Sequence, residues 1–309
     1  YICEIYIIFV MIVTPSYLKE NDKVGLVAPA RKISFEEVEK FIIVMQNNGF
    51  NVVYSEYLFG EHNQYSGSDE LRANDFQNML DDNDIKAIVC ARGGYGTLRI
   101  IDNINFDVFV KNPKWIIGYS DITVLHCHIN SLYNIKTLHA TMPINVRSID
   151  DKPLKEMIKV IKGGIPFEYS YDDYNSINRE GEVKGIIVGG NLSVLYSLVG
   201  SVSFQVDFFK DKILFIEDLD EYLYHIDRIM ISLKRAGVLE KLKGLIVGGM
   251  TEMKDNTVPF GKDAYSIIKD AVKEYDYPVS FGFPAGHIEN NMPIVLNNEI
   301  LLSVKKNYS

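Results

Sequence analysis

Residues 115–130 read WIIGYSDITVLHCHIN. WIIGYS is a short apolar run that ends in a tight turn, and DITVLHCHIN continues with apolar residues at helical spacing. A strand that is apolar on both faces and leads directly into a helix is the repeating unit of a parallel sheet. Ser120 stands at the tip of the turn, with Asp121 directly behind it. Two readings of the serine fit the local sequence. Serine is a common helix cap. A serine here can also be a nucleophile held clear of its neighbours, with the N–H groups of the first helical turn aimed at a developing oxyanion. GYSDI is related to the G-x-S-x-G elbow, but Ile122 replaces the second glycine.

The same unit recurs on both sides. KVGLVAPA (23–30) predicts a strand, and SFEEVEKFIIVMQNNGF (34–50) a helix opened by a Ser34–Glu37 capping box. NVVYSE (51–56) is a second strand, DELRANDFQNMLDDND (69–84) a second helix and IKAIVCA (85–91) a third strand. RGGYGTLRIIDNI (92–104) reads as a Gly-rich turn entering a helix. After TLHATMP (137–143) the pattern changes over 148–180 to a short helix and a polar, tyrosine-rich stretch. It resumes with GEVKGIIVGGNLSVLYSLVG (181–200), KILFIEDLDEYLYHIDRIMISLKRAG (212–237), KGLIVGGM (243–250), AYSIIKDAVKEYD (264–276), PVSFGFPAGH (278–287) and NEILLSV (298–304). The expected fold is α/β. A mainly parallel, flavodoxin- or Rossmann-like sheet with helices on both faces occupies 14–147, a connection 148–180, and a smaller C-terminal α/β domain 181–309. Ligands of such sheets bind beyond the carboxyl ends of the strands, where both RGGYG and GYSD fall.

Composition narrows the function. The 309 residues are 47% hydrophobic and 24% charged, as in an ordinary globular protein long enough for two domains. A net charge of -9 argues against nucleic acid or an anionic membrane as the main partner. Cys3, Cys90 and Cys127 are too sparse for a disulfide framework or a zinc site, and no H-E-x-x-H motif occurs. The apolar stretch Ile5–Val13 is too short to span a bilayer and no small-residue cleavage site follows it. Met11 reads as a natural start, residues 1–10 as upstream or non-native sequence, and the protein as cytoplasmic.

A serine nucleophile needs a base, and the base an orienting acid. His62 lies in a polar loop. His126 and His128 sit about two turns along the serine's own helix, away from its tip. His139 ends a strand near the sheet edge and is a second candidate base. His225 lies in the EYLYHIDR helix and reads as a rim residue. His287 stands in GFPAGHIENNMPI, a Gly/Pro-punctuated loop between two strands, where catalytic residues are often held. ILFIED places Glu217 and Asp218 at the end of an apolar strand, where an acid is costly unless paired or exposed. Either orients an imidazole or caps the next helix, and Asp218 fits the cap better. RGGYG lacks the Lys-Ser/Thr of a phosphate loop and the full G-x-G-x-x-G spacing. It cradles a phosphate or brings an N–H beside Ser120.

VAPA, ARGGYGTLRIID, IIGYSDITVLH, TLHATM, GIIVGGNLSVLYSLVGS, LFIEDLDEYLYHIDRIMISLKRAG and FPAGHIENNMPI, in that order and from about Lys19 onward, resemble the LD-carboxypeptidase family of serine peptidases. That family also includes the microcin C self-immunity hydrolases. The resemblance implies Ser120 as nucleophile, Glu217 as orienting acid and His287 as base, meeting at the domain interface. It implies an oxyanion hole from the amides of Gly94 and Asp121. The implied substrate is a murein tetrapeptide losing its C-terminal D-alanine at an L,D-amide bond, a cell-wall recycling reaction that needs no cofactor. Its free carboxylate calls for a cation, for which Arg228 is expected and Arg92 is the alternative, with Tyr224 lining the pocket. GGNLS and EDLDEYLYHIDR resemble the murein branch more than the self-immunity branch, and the family implies a homodimer. Two other functions stay open: a hydrolase of peptidyl- or aminoacyl-nucleotides, and a non-catalytic small-ligand-binding protein. The family's first strand usually ends APS; here it ends APA, with Ala30, a change expected to touch the pocket rather than the triad.

Overall fold

The computed structural model describes residues 11–164 and 177–306; the expectations for residues 1–10 and for the polar stretch 165–176 lie outside them. The N-terminal half alternates strand and helix through β1 (Lys23–Val27), α1 (Phe35–Asn47), β2 (Asn51–Tyr54), α2 (Asp69–Asp81), β3 (Ile85–Cys90), α3 (Asp107–Lys111), β4 (Trp115–Gly118), α4 (Thr123–Tyr133) and β5 (Thr137–His139). α5 (Lys152–Ile161) leads on to β6 (Gly181–Asn191), α6 (Leu192–Ser197), β7 (Lys212–Leu219), α7 (Leu223–Arg235), β8 (Gly244–Thr251), α8 (Ala264–Ala271), β9 (Val279–Phe281), β10 (Ile294–Leu296) and β11 (Asn298–Val304). The local signals hold where they are strongest. The Ser34 hydroxyl accepts the Glu37 N–H, and the Glu37 carboxylate accepts the Ser34 N–H, which starts α1.

β1 to β5 run parallel in the spatial order 2-1-3-4-5, the flavodoxin-like doubly wound arrangement. In this order the winding reverses between β1 and β3. β6 to β9 form a second parallel sheet, with β11 antiparallel along β6. β10, from the far end of the chain, joins the first sheet antiparallel to β5, with Ile294 opposite His139. The strand of His139 thus lies next to the edge strand, and His139 is fully buried. The helix expected to follow the Gly-rich turn within 92–104 is instead two 3₁₀ turns, Thr97–Arg99 and Ile101–Asn103. Gly94 and Gly96, at φ +109° and +149°, adopt conformations no helix contains, and the buried Asp121 carboxylate takes the Thr97 N–H at 2.8 Å. Among the described residues no helix is long and apolar enough to cross a membrane.

One apolar core crosses from sheet to sheet. Val124, Leu125 and Ile129 of α4 share it with Leu192 and Leu195 of α6 and Ile216 of β7. At the seam the Asn191 N–H donates to Thr123 Oγ1 at 3.0 Å. This approach requires Gly190, which has φ +146° and whose added Cβ would stand 2.5 Å from Thr123 Oγ1. Gly190→Ala is expected to lower stability by about 1–3 kcal/mol, through backbone strain and a clash at the seam. Urea unfolding measures it, and an unchanged midpoint would contradict the close fit.

Candidate active site

Ser120 opens a 3₁₀ turn, Ser120–Ile122, that runs into α4. Its φ of +63° lies in the left-handed region, which costs a non-glycine residue roughly 1–2 kcal/mol and concentrates at functional sites. The surrounding structure holds it there. The buried His126 donates its Nε2–H to the Gly118 carbonyl at 2.9 Å, just before the turn. Desolvation keeps that imidazole neutral by pulling its pKa down to about 3. Burial also raises the Asp121 carboxyl, against the Thr97 hydrogen bonds that favour its ionised form. Gly93 lies directly against the serine, where an added Cβ would be 2.9 Å from Ser120 Cβ and 3.1 Å from Oγ. Neither the 3₁₀ turn nor α4 has a side-chain cap, so the capping reading fails. The serine hydroxyl is directed elsewhere.

It is directed at His287, whose Nε2 lies 3.1 Å from Ser120 Oγ. On the other side of the ring, Nδ1–H donates to Glu217 Oε2 at 2.7 Å, and the His287 backbone N–H reaches the same oxygen at 3.1 Å. Glu217 sits near the end of β7 and its side chain is fully buried. Its partner can come this close because residue 286 is glycine. At φ +109°, a Cβ on Gly286 would stand 2.6 Å from Glu217 Cβ. Asn291 steadies the loop by accepting the Gly286 N–H at 2.8 Å. The Tyr119 ring packs 4.8 Å from the imidazole, and its hydroxyl donates to Asn145 Oδ1 at 3.2 Å.

These contacts set the charges. Burial drives the Glu217 carboxyl toward neutrality, but the charge and hydrogen bonds of His287 outweigh it and hold the pKa below the ordinary value. For His287, burial pulls the pKa down, and the facing carboxylate reverses this and leaves it above 6.5. The other acid at this strand end has another task. Asp218 does not cap the helix that follows. It accepts hydrogen bonds from the Ser193 N–H and the Asn191 side-chain amide, both at 2.9 Å, at the start of α6. Desolvation, with the charge of Glu217, pushes it up to about 7.

The remaining histidines lie outside this line. Desolvation lowers the buried His139 to about 4, His128 meets Ser203 Oγ at 2.9 Å, and His225 pairs with Glu221. Arg228 and Tyr224 form an exposed pair on α7, with the guanidinium 5.1 Å from the ring centroid, and neither hydrogen-bonds to the three central residues. Arg92 is held by Glu37 at 3.8 Å and by the Lys32 carbonyl at 3.3 Å. Ala30 is fully buried, with its Cα 3.0 Å from where a Cβ on Gly96 would stand. Sequence reasoning passed over Arg72. In DELRAND it looks like an ordinary helix-surface charge, yet it is buried and binds the carbonyls of Pro29 and Gly96, tying the loop after β1 to the loop after β3.

Residues 24–140 match the model of the LD-carboxypeptidase N-terminal domain, and residues 184–302 that of the LD-carboxypeptidase C-terminal domain. The chain belongs to the LD-carboxypeptidase family. A probable murein peptide carboxypeptidase of Bacillus subtilis (strain 168) is 32% identical over 288 residues, which is 91% of this chain and 88% of the relative. Two solved structures share the fold. The muramoyltetrapeptide carboxypeptidase of Oxalobacter formigenes superposes with a TM-score of 0.81 at 23% identity, over 92% of this chain and 95% of that one. The microcin C7 self-immunity protein MccF, in complex with aspartyl sulfamoyl adenosine, superposes at 0.83 and 20% identity, over 95% and 96%.

The electrostatics make a prediction independent of activity. Histidine NMR should find His287 titrating above 6.5 in the intact protein. In Glu217→Gln the burial remains and the larger countercharge is gone, so the pKa should fall. An unmoved titration would break the assigned coupling.

Proposed function

We propose that this protein is a serine LD-carboxypeptidase that hydrolyses the L,D-amide bond of murein tetrapeptides and releases the C-terminal D-alanine. The observation that carries the proposal is the unbroken hydrogen-bonded line Glu217–His287–Ser120. In the proposed reaction His287 takes the Ser120 hydroxyl proton as Oγ attacks the amide carbonyl carbon. Glu217 stays ionised, holds the ring by its Nδ1–H and stabilises the imidazolium. The backbone amides of Gly94 and Asp121 receive the oxyanion. Collapse breaks the C–N bond, and His287 passes its proton to the departing D-alanine amine. Water, deprotonated in turn by His287, then hydrolyses the acyl-enzyme and frees the tripeptide. Residues 14–147 supply the nucleophile and the oxyanion amides, 181–309 the acid and the base, and 148–180 connect them.

Hydrolysis of a peptidyl- or aminoacyl-nucleotide is the second reading, supported by the likeness to MccF, whose solved complex holds aspartyl sulfamoyl adenosine. The murein reading is preferred because the Bacillus subtilis relative, at 32% identity, is described as a murein peptide carboxypeptidase. Parallel assays on both substrate types separate them. We extend the proposal to a homodimer acting in the cytoplasm; light scattering that gives a monomer mass would remove the dimer.

Ser120→Ala is expected to lower kcat for D-alanine release, followed by mass spectrometry, by about 10³-fold or more while the protein stays folded. A variant that works at the wild-type rate would rule out the nucleophile. The raised pKa of His287 fixes the sign of the pH profile. The base form is lost as pH falls, so kcat/KM should decline with an acid-limb midpoint above 6.5. A midpoint well below that value would point to another base.

A further inference from the structure

The proposed substrate ends in a free carboxylate one residue beyond the scissile carbonyl, so a cation belongs close to Ser120. Most cations around the loop after β3 are already engaged. Arg72 is bound to Asp69 and to the Pro29 and Gly96 carbonyls, Arg99 to Asp69 at 2.6 Å, Lys32 to Glu61, and Arg92 to Glu37. Arg228 is stacked on Tyr224. Arg31 is different. It is exposed in the loop after β1, and its guanidinium has no hydrogen-bond or ion-pair partner among the described residues. Its stem lies over Gly94, where an added Cβ would be 2.2 Å from Arg31 Cδ and 2.6 Å from Cγ. The neighbouring Gly93 touches Ser120.

Sheet order explains this alignment. β4, β3 and β1 are adjacent, and their carboxyl ends carry Ser120, the Gly93–Gly94 loop and Arg31 in turn. The winding reverses between β1 and β3, the crevice in which doubly wound sheets bind ligands. Strands lie ~4.8 Å apart, which puts the ends of β4 and β1 roughly 10 Å from each other. A terminal residue spans about 3.8 Å of that gap, and the arginine side chain leaning back over Gly94 covers the rest.

Resting on the carboxypeptidase reading, we infer that Arg31 binds the terminal carboxylate of the departing D-residue and so restricts the enzyme to peptides with a free C-terminus. A guanidinium meets a carboxylate through two parallel N–H donors, a geometry that an uncharged C-terminal amide cannot match.

The test is calorimetric binding to the Ser120→Ala protein, which keeps the ligand intact. The probes are a murein tetrapeptide with diaminopimelate at its third position and the same peptide as its C-terminal carboxamide. Adding Arg31→Ala should weaken the acid about ten- to a hundredfold and leave the carboxamide unchanged. Arg31→Lys should recover part of the loss, since an ammonium keeps the charge without the fork. Equal weakening of both peptides, no weakening, or no preference for the acid in the Ser120→Ala parent would each overturn the inference. Turnover decides the other matter. If wild-type protein releases no D-alanine while the Arg31-dependent preference for the acid persists, the proposed reaction falls and the carboxylate site stands.

Discussion

Glu217 has a fully buried side chain at the end of an apolar strand. An ionised carboxylate in such a place is prohibitively costly unless a charge or a set of donors meets it. Much of the neighbourhood follows from that need. The donors come from His287, through both its ring and its backbone, so the 282–293 loop has to fold down onto β7. Gly286 leaves room for the descent, Asn291 fastens it, and Gly248 keeps the adjoining strand clear, since a Cβ there would stand 3.3 Å from Glu217 Cβ. Once the ring is fixed by Nδ1, its Nε2 can face only one way, and Ser120 is there. The same carboxylate that demands a partner thus leaves the imidazole basic, oriented and beside a hydroxyl.

The parallel layers were readable from the sequence because strands buried on both faces are continuous apolar runs. IKAIVC, WIIG and KILFIEDL all carry that signal. The Ser120 turn was readable as a turn, but its positive φ was not, since left-handed serine leaves no mark on composition. What stayed hidden depends on long-range partners. The IVL of β10 is too short to announce which sheet it joins. RGGYGTLRIIDNI has helical spacing, yet Asp121 captures the Thr97 N–H and its glycines turn the chain away from a helix. Asp218 looked like a cap for the helix after it because its true partners, Asn191 and Ser193, are 27 and 25 residues away in the chain.

Residues with positive φ gather on one side of the first sheet. Ser120, Gly94 and Gly96 all have positive φ, and all lie beyond the carboxyl ends of β3 and β4. Arg72 binds the loops after β1 and β3 together beneath them. A buried guanidinium in this place holds strained loops without contributing a titratable group near neutral pH, because arginine stays protonated. The strained geometry is supported by rigid packing rather than left to the loops themselves.

β10 carries a consequence beyond the site. It leaves the His287 loop, adds itself to the sheet that holds Ser120, and the chain then returns through β11 to the sheet that holds Glu217. The first sheet therefore ends in a strand encoded in the other half of the chain. Without that strand the β5 edge, Thr137–His139, would present unpaired backbone and a buried surface to water. Ser120 and His287 are laced together through backbone hydrogen bonds, so the candidate site is a stitched seam rather than a cleft between free lobes. Recombination between relatives, natural or engineered, has to move the edge strand together with Glu217 and His287, and a crossover placed between the two family domains exchanges a piece of the first sheet along with the second.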